Sequence, residues 1–271
     1  MTKKKKLIVT AHDFGLTNSV NQGIFDSFLF GNNIITNLSL LVTTPGFKSA
    51  SEYAKKHPEI SIDLNISLTR NKPCLKNHKT LVDKNGYLKR ANTAKWDFSI
   101  IDSYDEKEIE AEIYAQYECF IKAVGRKPDA LTTQRSEHGD PKILIPLVNL
   151  ALKENLPIRT PAWAWFTNYG ARQYVEDMGV KTTDIVAVGV KDWKGKNGFD
   201  LETDMDKLIE YLNTAQNIAE LLLFVGYMDK ELYEYSSVNW IRAQYLNILK
   251  RKPHGLDRLK SEFELIGYKN I

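Results

Sequence analysis

Long hydrophobic runs are missing from this chain. Its 271 residues are 43% hydrophobic, yet no stretch approaches the roughly 20 apolar residues that cross a bilayer. That excludes a membrane-spanning reading. The apolar run after Lys3-Lys4-Lys5-Lys6 is brief and is interrupted by His12-Asp13, so it does not read as a secretory signal. Cysteine is scarce as well. Cys74 and Cys119 are the only two, and neither lies in a CxxC pair. Neither a zinc ribbon nor a disulfide framework is supported, and a reducing cytoplasm is the expected setting. Charge of one sign is not in excess: the formal net charge of +3 is too small to argue for a nucleic-acid partner. No GxGxxG or GxxxxGK[ST] stretch is present, which excludes the usual nucleotide cradles and a nucleotide cofactor. Histidine is limited to five residues.

What is present is an alternation of short apolar runs with longer amphipathic ones. Residues 7–10, 38–42, 60–68, 130–132, 184–188 and 221–224 read as strands, with a further short strand starting at Pro157-Ile158-Arg159. Between them, residues 18–30, 46–57, 105–124, 141–154, 203–215 and 236–249 carry helical spacing. Ile109, Ile113, Tyr117, Phe120, Ile121 and Val124 make 105–124 the clearest helix, and Gly125 ends it. Repeated strand–helix units predict an α/β fold, a distorted (β/α) barrel with a mostly parallel sheet, in one domain over 1–271. Residues 70–100 lack periodicity and read as a long loop or insertion, a lid or a small added piece. Such a loop leaves room for a homodimer without demanding one.

Three segments turn polar where a strand should end: Thr10-Ala11-His12-Asp13-Phe14-Gly15, Asp63-Leu64-Asn65-Ile66-Ser67-Leu68-Thr69 and Thr132-Thr133-Gln134-Arg135-Ser136-Glu137-His138. In α/β proteins the chemistry sits at C-terminal strand ends. Asp13 reads either as a functional carboxylate or as a turn cap. His12 reads as a base titrating near neutrality or as a hydrogen-bonded filler. As neighbours on an extended segment, His12 and Asp13 are expected to point apart. Asn65 and Gln134 suit a sugar, because amides both donate and accept. Arg135 and Glu137 alternate with Gln134 and Ser136 in what reads as extended chain. They are substrate-binding candidates, or else a surface ion pair. His138 is a candidate acid. Arg159, at a strand end, suits a polar substrate or an oxyanion. Trp163, Trp165, Phe166 and Trp193 offer rings for stacking on sugar faces, or core. His57, His78 and His254 read as loop or cap residues. Asp13, Asp63 and Glu137 also allow a metal-free alternative, with two carboxyls flanking a glycosidic bond.

The order of these segments resembles the YdjC-like family of carbohydrate deacetylases. The family's A-D-D-F-G stands here as Ala11-His12-Asp13-Phe14-Gly15, followed by Val20-Asn21-Gln22-Gly23-Ile24. Its G-x-H-x-x-L-T stands as Asp63 to Thr69, and its histidine-rich segment as Gly125 to Pro141. Glu112 and Gln116 match E-x-x-x-Q, Leu156-Pro157-Ile158-Arg159 matches L-P-x-R, and Phe224-Val225-Gly226 stands for H-P-G. Ser236-Ser237 with Arg242 and Leu246 matches the closing helix. The resemblance implies a carbohydrate substrate, an amino sugar or oligosaccharide, and hydrolysis of an acetamide at a divalent metal. By position the metal ligands become Asp13, Asn65 and Gln134, the catalytic base becomes His12, and the histidine of H-P-G becomes Phe224. Asn and Gln offer only neutral carbonyl oxygens, so this set implies a weak metal or none. Three outcomes stay open: a divergent hydrolase centred on Asp13 and His12, a silent sugar binder, and a metal-independent glycoside hydrolase.

Overall fold

A computed structural model describes residues 4–30, 34–92, 97–161, 170–189, 198–251 and 254–271. In chain order the elements are β1 (Lys6–Phe14), α1 (Asn18–Leu29), β2 (Asn37–Leu40), α2 (Phe47–Lys56), β3 (Ser61–Ile66), α3 (Glu106–Val124), β4 (Leu131–Thr133) and α4 (Pro141–Glu154). Then come α5 (Ala171–Asp177), β5 (Ile185–Val188), α6 (Met205–Leu212), β6 (Ile218–Leu223), α7 (Lys230–Tyr235), α8 (Asn239–Arg251), α9 (His254–Glu262) and β7 (Glu264–Leu265). The α/β class expected from the sequence is the one observed. Among the described residues no helix is long and apolar enough to cross a membrane.

The chain groups into two compact units. The first comprises residues up to Leu40, Pro45–Ile62 and Thr183–Ile271. Here β1 is central, pairing in parallel with β2, β6 and β7, while β5 pairs in parallel with β6. Leu7, Ile8, Val9, Leu221 and Leu223 are fully buried, as the near-continuous apolar runs of covered parallel strands require. Burying a side chain of this size stabilises by about 1.5–3 kcal/mol. One polar group is built into this core. Glu220 on β6 accepts hydrogen bonds from Thr10 Oγ1 and Tyr268 Oη, and Asn37 Nδ2 donates to Thr10 Oγ1. Gly23 of α1 meets Gly226 backbone to backbone: a Cβ on Gly23 would lie 2.5 Å from Gly226 Cα. Glycine at both positions lets α1 approach the loop after β6.

The second unit comprises Leu41–Thr44 and Asp63–Thr182. Here β3 pairs in parallel with β4, and single parallel bridges run Leu131–Ile158 and Ile158–Thr182. The strand expected at Pro157-Ile158-Arg159 is therefore only a bridge. Asp105 caps α3 by accepting from the Lys107 and Glu108 amides, and Gly125 closes it in the left-handed region. Asp140 caps α4, with Pro141 in the first turn.

The segment expected as a long loop or insertion over 70–100 is tied to α3 where it is described. Glu112 accepts from the Cys74 and Leu75 amides and faces His78 Nε2 at 2.9 Å. One turn earlier, Glu108 accepts from the amides of Lys79, Thr80 and Leu81. The two carboxylates lie on one helical stripe and satisfy a run of loop donors. His78, given no role from the sequence, is thus a buried partner of Glu112.

Candidate functional site

Strand β1 does not end cleanly. Its register against β2 shifts between Ala11 and Phe14, and Asp13 has φ 62°. A left-handed non-glycine residue costs about 1–2 kcal/mol. The surroundings hold it there. Leu16 N–H donates to Asp13 O, and Gly15 N–H donates to Asn21 Oδ1 at 2.7 Å. Asn21 Nδ2 is in turn fixed by Gly46 O and Ser49 Oγ. The left-handed turn also overrides strand alternation. His12 and Asp13, expected to point apart, meet instead at 2.9 Å between Nδ1 and Oδ1. An ionised carboxylate only accepts, so Nδ1 carries the hydrogen and the Nε2 lone pair is the basic one in the neutral ring.

The other oxygen of Asp13 accepts from Arg242 Nη2, on α8. Arg242 is fully buried. Its guanidinium lies 5.3 Å over the Phe224 ring, which also packs 5.2 Å from His12. Burial pushes the Asp13 carboxyl upward, but the His12 and Arg242 charges and their hydrogen bonds outweigh it and hold it well below the usual carboxylate range. Among the described residues, Arg242 Nε and Nη1 have no hydrogen-bond partner. Arg242 carries no chemistry on its face in the sequence. Only its place in the resemblance could have flagged it, because its contact with Asp13 spans 229 residues.

In the second unit, Asn65 on β3 is fully buried, and neither its Oδ1 nor its Nδ2 has a partner among the described residues. Gln134 Oε1 accepts from Ser67 Oγ at 3.1 Å. The expectation of extended chain after β4 is overturned. Arg135 and Ser136 both have φ 57° inside a tight 3₁₀ turn over Gln134–Gly139. The turn brings Glu137 inward, fully buried, where it accepts from Leu68 N–H at 2.9 Å and from Thr69 Oγ1. Burial pushes its carboxyl up to about 7, against the lowering effect of those bonds.

His138 is fully buried with both ring nitrogens committed, Nε2 to Arg159 O at 2.7 Å and Nδ1 to Thr133 Oγ1 at 2.7 Å. A carbonyl only accepts, so Nε2 is the protonated nitrogen. Burial lowers its pKa to about 4. Arg159 donates to Thr132 Oγ1 at 3.0 Å and to the buried Asp63 at 3.1 Å. His138, Arg159 and Glu137 are therefore bound into the framework of this unit. Trp163, Trp165, Phe166 and Trp193 lie outside the described residues.

The residues do not fit a catalytic divalent metal of the kind the resemblance implies. Both Asp13 oxygens already accept from cationic or hydrogen-bonding partners. Gln134 and Asn65 are neutral amides, and among the described residues no group of three or more His, Cys, Asp or Glu could hold an ion. Zinc sites use thiolate, imidazole or carboxylate.

The scaffold is a parallel α/β fold, and comparison with known proteins shows its family. The chain belongs to the YdjC-like protein family, whose model matches residues 6–259. It is 30% identical over 267 residues to carbohydrate deacetylase 2 of Listeria innocua, covering 98% of each chain. It is 28% identical over 268 residues to a carbohydrate deacetylase of Clostridium beijerinckii, covering 98% of this chain and 100% of that one. A crystal structure of an Enterococcus faecalis protein, to which cellobiose-phosphate cleavage is attributed, superposes with a TM-score of 0.83 at 26% identity, covering 99% of both chains.

Proposed function

We propose that this protein is a divergent carbohydrate-active hydrolase of the deacetylase type, acting on an amino sugar or oligosaccharide without the family's metal triad. The observation that carries this reading is the chain of contacts Arg242–Asp13–His12. Asp13 fixes the imidazole and its tautomer, and Arg242 holds Asp13 ionised. His12 Nε2 then takes a proton from an attacking water as general base, and the Asp13 charge stabilises the imidazolium that results.

A second reading, a silent sugar-binding protein on the same scaffold, is favoured by the internal bonding of His138, Arg159 and Glu137. That bonding leaves no second acid or oxyanion partner among them. It also removes support from the paired-carboxylate glycosidase, since Asp63 and Glu137 are both fully buried.

The test is acetate release from acetylated amino sugars and their oligomers, with chelator present, alongside calorimetric sugar binding. The hydrolase reading expects turnover that survives chelation and falls at least about 100-fold in His12→Gln and Asp13→Asn. Sugar binding without turnover in any form establishes the binder. Turnover abolished by chelator and restored by zinc overturns the metal-free mechanism.

A further inference from the structure

Residues 81–90 form a tight hairpin within the second unit. Val82 and Leu88 bridge antiparallel, Lys89 N–H donates to Leu81 O at 2.9 Å, and Asp83 N–H donates to Tyr87 O at 2.8 Å. Asp83 Oδ1 accepts from the Asn85 and Tyr87 amides, and Gly86, with φ 75°, completes the turn. Asn71 ties the hairpin to the chain that leaves β3. It holds φ 70°, and its carbonyl accepts from Leu88 N–H at 2.8 Å. Tyr104 Oη stands 3.2 Å from Lys89 O and 3.3 Å from Leu68 O, which braces the same junction.

The hairpin and Asn71 line a pocket of about 450 Å³, whose walls are Asn71, Asp83, Tyr87, Leu88, Lys89 and Arg90. Small-molecule sites span about 300–1,000 Å³. The polar lining is mostly donors. Asn71 is only 7% exposed, and its Nδ2 has no hydrogen-bond partner among the described residues. A buried donor left unpaired is destabilising, so a group that accepts from it is favoured. Among the described residues no carboxylate pairs with Lys72, Lys89 or Arg90. Lys89 Nζ lies 5.9 Å over the Tyr104 ring and Lys72 Nζ lies 5.1 Å over the Tyr87 ring, contacts that place both ammonium groups without cancelling their charge. Asp83 is the one carboxylate of the lining, and its Oδ1 is spent on the turn.

We infer that this pocket binds an oxyanion, with Lys89, Arg90 and Asn71 Nδ2 as its donors. An oxyanion only accepts, which matches a wall of amide, ammonium and guanidinium groups. A neutral hydroxyl must also donate, and Asp83 is the only side-chain acceptor on offer besides the Asn71 amide oxygen. A free inorganic anion and an anionic group carried on a sugar share this chemistry. Tyr87, 43% exposed, gives a carrier sugar an apolar wall.

The experiment titrates the full chain by calorimetry with glucose 6-sulfate, inorganic sulfate and glucose. At least one of the two anions should bind with a Kd below about 1 mM, and glucose should not. Tighter binding of the ester assigns the pocket to a charged sugar, equal binding assigns it to a free anion, and either result supports the site. Arg90→Gln and Lys89→Gln should each weaken binding at least about tenfold, the loss of one charge-assisted hydrogen bond. Asn71→Asp keeps the side-chain shape and tolerates the left-handed backbone, and it should abolish binding by placing a carboxylate in the lining. Lys84→Gln, exposed on the same turn but outside the lining, should change binding less than about twofold. Binding of neither anion overturns the inference. A loss in Lys84→Gln as large as in Arg90→Gln overturns it equally, because the attraction is then that of a basic surface. Arg90 is exposed, so its variant decides the matter even if Asn71→Asp fails to fold. The readout is binding alone, so the result does not depend on whether the protein turns over a substrate.

Discussion

Asp13, in the last residues of β1, and Glu137, just past β4, are both buried carboxyls, one in each compact unit. Burial penalises the charged form of each. Asp13 nevertheless stays ionised, because His12 and Arg242 stand against its two oxygens. Glu137 accepts from the Leu68 amide and the Thr69 hydroxyl, and these bonds together with the weaker effect of the Arg135 charge do not offset burial, so its carboxyl rises to about 7. Desolvation is common to both sites, and the charge of the partner decides the protonation state. One strand end is thus a fixed charge that orients an imidazole. The other is a brace, its carboxyl shifted toward the protonated form, that satisfies the backbone of Leu68.

The largest expected effect comes from Arg242→Met. It leaves Asp13 buried without its guanidinium, and urea unfolding should show a loss of about 3–5 kcal/mol. Adding Asp13→Asn should cost less than the sum of the two single changes. A loss below about 1 kcal/mol would mean that Asp13 resembles Glu137 after all.

The next effect is a pH dependence. Between pH 4.5 and 7 the folded protein holds a proton on Glu137 that the unfolded chain has released, so this group's contribution is full below 4.5 and is lost as pH rises through 7. The expected decline is about 3 kcal/mol. Glu137→Gln should remove that slope, as read from melting curves across the range. An unchanged slope would assign the dependence to another group.

Glu108 is the mirror case within the second unit. The Thr80 hydroxyl and the Lys79, Thr80 and Leu81 amides outweigh burial and hold it down to about 2. Its contribution is present above 4.5 and is lost as pH falls toward 2. Glu108→Gln should cost about 1–2 kcal/mol at pH 7 by urea titration and nothing measurable near pH 2. Smallest is Thr69→Val, which deletes one hydroxyl bond to Glu137 and should cost about 1 kcal/mol.

Much of the scaffold was legible. The apolar runs at Leu7–Val9 and Leu221–Leu223, and the helical stripe from Ile109 to Val124, follow from periods that local geometry imposes. The polar strand ends were visible for the same reason, since each apolar run stops abruptly. The pairing of His12 with Asp13 was not, because strand alternation argued against it until a left-handed residue broke the strand. The inward turn of Glu137 failed in the same way: Arg135 and Ser136 occupy a backbone region that their residue types seldom adopt. The anchoring of the loop after residue 70 was hidden because its donors are backbone amides, which every sequence carries.

By itself the sequence determined the parallel α/β class and the family, because hydrophobic period and residue chemistry are local properties. Only the tertiary structure decided which groups face one another. Arg242 reaches Asp13 across 229 residues, and the Cys74 amide reaches Glu112 on α3. Contacts of that kind depend on how buried polar groups are satisfied in three dimensions, and no periodicity along the chain encodes them.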